Sequence, residues 1–235
     1  MREKSGLAKA TKWIATVVLA GVAWRSGGTQ DAKAVYPKMA PVEQYLMEDR
    51  SAEIALAKSA APDVIARDAT VLVLGHHGYE TAVEGKNGFV CLVERGWTAE
   101  SGDPNFWNPK LRGPICYNAP AAHTYLNRNL KRTDLVLAGS NKEQMFQAIY
   151  GAIANKELPP VESGSMSYML SKLSYLGDGN GHWHPHLMFF FNYIDPNAWG
   201  ANQKGSPIFA FDEKAEHVTV FLVPVMQWSD GTADH

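Results

Sequence analysis

Apolar and polar positions divide the chain into a short series of segments. Val71–Leu74 is a continuous apolar run, as expected of a strand buried on both faces. Tyr79, Thr81 and Val83 alternate with Glu80 and Glu84, the period of a half-buried strand. Phe89–Val93 is continuously apolar again, and Asn87-Gly88 just before it supports a tight turn with positive φ. These three runs predict an antiparallel meander over 70–95. In the last third, Leu187–Phe191 is short and β-prone. Pro207–Phe211 and His217–Val225 flank a polar turn and predict a hairpin.

Helical patterns occupy the spaces between. The stretch 41–60 is rich in Ala, Leu, Glu and Lys and predicts one helix or a broken pair that ends at Pro62. A helix is expected near 120–132 and another near 141–156. For the latter, Ser140 and Glu143 have capping-box spacing ahead of Met145, Ile149 and Ile153. Segment 165–176 fits either a helix or a strand, and the glycines that follow favour a strand. Strands, then helices, then strands is an α+β order with a mostly antiparallel sheet.

Residues 96–118 are expected to be a long connection, with three prolines and the aromatics Trp97, Phe106, Trp107 and Tyr117. A loop of this length is either functional or pinned to the core by its aromatics. As a functional loop it would be a ligand-binding surface.

The N-terminus changes the picture of where the protein works. A basic start is followed by an uncharged apolar run, Trp13–Trp24, and then by Ala32-Lys33-Ala34. That order is the signature of a secretory signal peptide over 1–34, leaving 35–235 as a single domain. The apolar run is shorter than the roughly 20 residues of a membrane span. The expectation is an exported chain, periplasmic or extracellular, with no membrane association after cleavage. Residues 1–34 hold six of the 22 basic and two of the 24 acidic residues, leaving 16 and 22, a net charge of −6. A mildly acidic chain with no Lys/Arg cluster argues against nucleic acid as a partner. Two cysteines in an oxidising compartment predict a Cys91–Cys116 disulfide. A reactive Cys116 thiol ahead of a helix is the competing reading.

The candidate chemistry is concentrated in histidines. In Gly181-His182-Trp183-His184-Pro185-His186, a strand would point His182, His184 and His186 to one face. Neighbouring pairs could share one metal ion such as zinc. A third ligand would have to be His76 or His77, with Glu80 as an acceptor for the second ring nitrogen. His-x-His is also part of the cupin metal motif, but Met188 and Phe190 stand where its glutamate should follow. The Asp-His that would complete a metallo-β-lactamase motif is replaced by His186-Leu187. Glu80, Glu84 and Glu94, on predicted neighbouring strands, could form a carboxylate pair. No nucleophile elbow, phosphate loop, dinucleotide loop or His-Glu-x-x-His occurs. Two functions are therefore carried forward. The first is a non-catalytic domain that binds a small molecule or a cell-envelope component. The second is a zinc-type hydrolase built on the histidines.

Overall fold

The computed structural model describes residues 36–177 and 183–234. Segment 1–34, read as a signal peptide, and His182 lie outside them. The fold is α+β, built on an eight-stranded, mostly antiparallel sheet. In chain order the strands are β1 (Thr70–Gly75), β2 (Gly78–Val83), β3 (Val90–Glu94), β4 (Gly113–Tyr117), β5 (Met166–Met169), β6 (His186–Asn192), β7 (Phe209–Glu213) and β8 (Val218–Pro224). Across the sheet they run β2-β1-β3-β4-β5-β6-β8-β7. The helices are α1 (Arg50–Lys58), α2 (Asp63–Ala66), α3 (Ala119–His123), α4 (Tyr125–Leu137) and α5 (Lys142–Ala154). Among the described residues no helix is long and apolar enough to cross a membrane.

All three strands expected over 70–95 are present, and they alternate in direction. Their order differs from a meander. β3 does not lie beside β2 but pairs in parallel with the far side of β1, Thr70 opposite Val90. Asn87-Gly88 is therefore no hairpin turn, although Gly88 has φ +78°. The chain crosses the start of β1 here, and Gly85 makes the crossing possible. A Cβ on Gly85 would lie 2.1 Å from the amide nitrogen of Thr70. Segment 165–176 is a strand only over 166–169. The helix near 41–60 is broken, with α1 beginning at Arg50. Pro62 precedes α2 rather than ending a long helix. The cap of α5 is one residue later than the spacing of Ser140 and Glu143 predicts. The capping box pairs Asn141 with Gln144.

The expected loop over 96–118 contains a strand, β4, that the sequence pattern hid. Pro114 sits within it, opposite Val93 on β3. Cys91 and Cys116 stand directly opposite each other on β3 and β4 and form a disulfide. Closing this loop stabilises the fold by about 3–4 kcal/mol in the chain-entropy picture. It also removes the reactive-thiol reading of Cys116.

The two faces of the sheet are covered differently. On one face Val71 and Val73 are flanked by Cys91, Val93 and Cys116, and α1, α2 and the link between them close over these through Ala57, Ala60, Ala61 and Ala66. These small side chains let the helices approach closely. On the other face Leu92, Ile115, Tyr117, Phe190 and Val220 pack against α3 and α4. Trp97, Phe106 and Trp107 are buried with Val136, Met145 and Phe146 in a third cluster.

Candidate functional site

Residues directly opposite in an antiparallel pair share a face. Val90, Leu92 and Glu94 of β3 therefore lie on one face with Tyr117, Ile115 and Gly113 of β4. The register carries this face through Met169 and His186 to Pro224, and through Met188 and Leu222 to Phe209. It is the face that α4 covers, and α4 covers only part of it. Beyond the helix lies a cavity of about 840 Å³. Its floor is the strand face from Glu94 to Phe211, and its walls include Thr98–Glu100, Leu176 and Trp183. Most of the lining is apolar, the usual make-up of a small-molecule site.

At one end the lining turns polar. Tyr125, Arg128, Asn129 and Arg132 fall at i, i+3, i+4 and i+7 on α4 and form one stripe. Arg128, Asn129 and Arg132 are buried in spite of their polarity. Opposite this stripe is the carboxyl of Glu94. Its Oε1 accepts from Tyr117 Oη at 2.5 Å and from Asn129 Nδ2 at 2.7 Å. Its Oε2 is 3.1 Å from Thr98 Oγ1. Asn129 Nδ2 also donates to Tyr117 Oη at 2.9 Å. Burial raises the Glu94 pKa, and these neutral donors offset that only in part. Burial, followed by the charge of Glu94, holds the Tyr117 phenol well above its ordinary value. A buried carboxyl with a displaced pKa in a cavity marks a functional-site candidate.

Beside this group lies a second, charged one. Arg132 pairs with buried Glu216, in the turn between β7 and β8, and donates to the carbonyl of Thr98 at 2.7 Å. Arg132 Nε is buried without a partner. Glu213, at the end of β7, lines the cavity, and its carboxyl has no hydrogen bond or ion pair among the described residues. Burial first, then the charges of Glu216 and Glu100, push its pKa up to about 7 against the pull of Arg132.

His184 and His186 do not share a face. β6 begins only at His186, so the two-residue period does not extend back to His184. His184 points outward, 74% exposed, with Nδ1 2.6 Å from Asp234 Oδ2. His186 is buried and lines the cavity. Its Nδ1 donates to the carbonyl of His184 at 2.7 Å, which leaves Nε2 as an acceptor. Burial lowers its pKa, favouring the neutral ring. His76 and His77 sit on the exposed turn between β1 and β2. Three strands separate β1 from β6, four steps of about 4.8 Å in the sheet. Among the described residues Glu80 accepts from no histidine ring and pairs instead with Arg50 on the surface. Among the described residues no group of three or more His, Cys, Asp or Glu could hold a metal ion.

Of the four aromatics expected to present a binding loop, Trp97, Phe106 and Trp107 are core residues. Trp97 Nε1 donates to Thr133 Oγ1 at 2.9 Å. Phe106 and Trp107 meet edge to face. Tyr117 alone reaches the cavity, from a strand rather than a loop. Sequence reasoning missed Thr98, Asn129, Arg132, Glu213 and Glu216. The signal it had was the polar stripe on α4, which reads as a solvated face until Glu216 is known to pack against it.

Compared with protein-family models, with curated proteins and with solved structures, the chain finds no match.

Proposed function

We propose that this chain is an exported binding protein that takes a small, largely apolar molecule into the cavity over β3–β7. The observation that carries the reading is the cavity itself. It is about 840 Å³ in volume, apolar along its floor and polar at one end around Glu94, Tyr117 and Asn129. Such a shape fixes an apolar body by burial and orients one polar end by hydrogen bonds. The zinc-type hydrolase is not carried further, because the described histidines diverge and His76 and His77 stand on a distant turn.

The test uses Nile red, a neutral dye whose emission rises in apolar surroundings. Saturable binding near one dye per protein is expected. Leu222→Trp, which fills the cavity floor, should abolish it while far-UV circular dichroism stays unchanged. The absence of saturable binding by the wild-type chain would overturn the reading.

Export is the second half of the proposal. The charged-apolar-small pattern of 1–34 and the Cys91–Cys116 disulfide support it. Mass spectrometry of the protein from its native host should find a mature start near Val35. An intact Met1 would sink this half alone.

A further inference from the structure

The cavity is lined by acceptors and carboxylates more than by free donors, the unpartnered Arg132 Nε being itself buried, and this bears on what it holds. Resting on the reading of the cavity as a binding site, we infer that its ligand is an organic cation, an amine or quaternary ammonium on an apolar body.

Asn129 is 97% buried against a relative exposure of 3%, and it lines the cavity. Its Nδ2 is spent on Glu94 and Tyr117. Its Oδ1 has no partner among the described residues, so an acceptor is left without a donor where Asn129 meets the cavity. His186 offers Nε2 as a second acceptor, because Nδ1 is committed to the carbonyl of His184. The Tyr117 hydroxyl is committed to Glu94. Displacing solvent from such acceptors without supplying a donor costs free energy. A ligand bearing N–H groups, or a diffuse positive charge, would offset that cost.

Charge points the same way. The lining contains the carboxyls of Glu94, Glu100, Asp103 and Glu213. Its two arginines are already paired with acids from outside the lining, Arg95 with Glu53 and Arg132 with Glu216, although Arg132 still pulls on Glu94 and Glu213 from a distance. His184 is held by Asp234. Asp103 caps the amide of Asn105 and feels Lys142 nearby, so it is partly compensated. Among the described residues Glu94, Glu100 and Glu213 have no cation in contact. The raised pKa of Glu213 is the mark of a carboxylate in want of a positive charge. The lining also carries the aromatic rings of Tyr117, Tyr125, Trp183, Phe209 and Phe211, whose faces attract an organic cation where water is excluded. A carboxylate ligand would instead meet repulsion and unmatched acceptors.

The experiment compares three probes of equal length and different charge. Decylammonium, decan-1-ol and decanoate, the two ions below their micelle concentrations and the alcohol below its solubility limit, compete with Nile red at pH 8. Decylammonium should displace the dye at concentrations at least tenfold lower than decan-1-ol, with decanoate the weakest. Glu213→Gln should cut the margin of ammonium over alcohol severalfold. Glu100→Gln, at an exposed site, should cut it less and only at low salt. Dye binding with no preference for ammonium overturns the inference and leaves the binding site standing. A margin that survives both substitutions also overturns it. No dye binding at all overturns the cavity reading and the inference together.

Discussion

Glu94 and Arg95 are adjacent in sequence and both buried, yet they are treated in opposite ways. Arg95 is fully provided for. Nε donates to the carbonyl of Tyr45 at 2.8 Å, Nη1 to that of Val93, and Nη2 to Glu53 Oε1 at 2.9 Å. Glu53, on α1, also accepts from the amide of Leu74 at 3.2 Å. One guanidinium thus ties α1 to the sheet, with every nitrogen occupied. Glu94 has no counter-charge in contact. It relies on Tyr117, Asn129 and Thr98, beside a cavity that no side chain fills. A buried charge that serves the fold brings its partner with it. A buried acid left with neutral donors at the edge of an empty space is arranged for something else.

The sharpest way to break this comparison is to neutralise each residue in turn. Arg95→Met strands Glu53 in the interior, frees the carbonyl of Tyr45 and leaves that of Val93 to the Tyr79 hydroxyl alone, and should cost about 3–5 kcal/mol. Adding Glu53→Leu should recover much of that loss, because the stranded charge goes too. Glu94→Gln keeps an acceptor for Tyr117 and Asn129 and removes only a charge whose burial is unfavourable. Its effect should stay within about 1 kcal/mol. Urea midpoints at pH 7, with unchanged slopes, would measure all three. Equal losses at the two positions would mean that Glu94 is as much a part of the scaffold as Arg95.

The sequence announces the scaffold better than the site, for physical reasons that differ from place to place. β1, β6 and the β7–β8 hairpin are visible because their patterns are local: apolar runs or alternation bounded by turn residues. β4 is hidden by Gly113 and Pro114, which normally end strands. Pro114 is tolerated because Cys91 and Cys116, two positions along, are only 4.0 Å apart at Cα, the short spacing of a non-hydrogen-bonded pair. Val93 and Pro114 are then the same kind of pair, so the missing N–H would face away from β3. On that side β5 pairs only with Cys116 and Tyr117 and leaves Pro114 unopposed. The place of β3 beside β1 turns on Gly85, whose role appears only when the strands are assembled. The site is less legible still. Glu94 stands out in sequence only as a glutamate after an apolar run, grouped with Glu80 and Glu84. In the fold β1 lies between β2 and β3, Glu80 pairs with Arg50 at the surface, and Glu94 alone faces the cavity. The buried partner of Arg132 is 84 residues away along the chain.

A smaller effect sharpens the same contrast at Glu213. Its pKa in the folded protein, about 7, lies above that of the same side chain in the unfolded chain. Below about pH 4 both states hold the proton, and the residue contributes nothing to stability. As pH rises from there towards 7, the unfolded chain ionises first while the folded protein keeps its proton. The native state therefore loses stability across that window, and above it the loss is complete. Glu213→Gln removes the loss. The variant and the wild type should have equal urea midpoints at pH 4, and the variant should be more stable at pH 8. The difference should be about 1 kcal/mol, since the side chain is half-buried and water screens part of its repulsion from Glu216 and Glu100. Saturating decylammonium at pH 8 supplies the missing positive charge, so it should stabilise the wild type more than the variant and narrow the gap. A gap that is the same at pH 4 and pH 8 would mean that the substitution acts through packing, and that Glu213 is compensated as fully as Arg95.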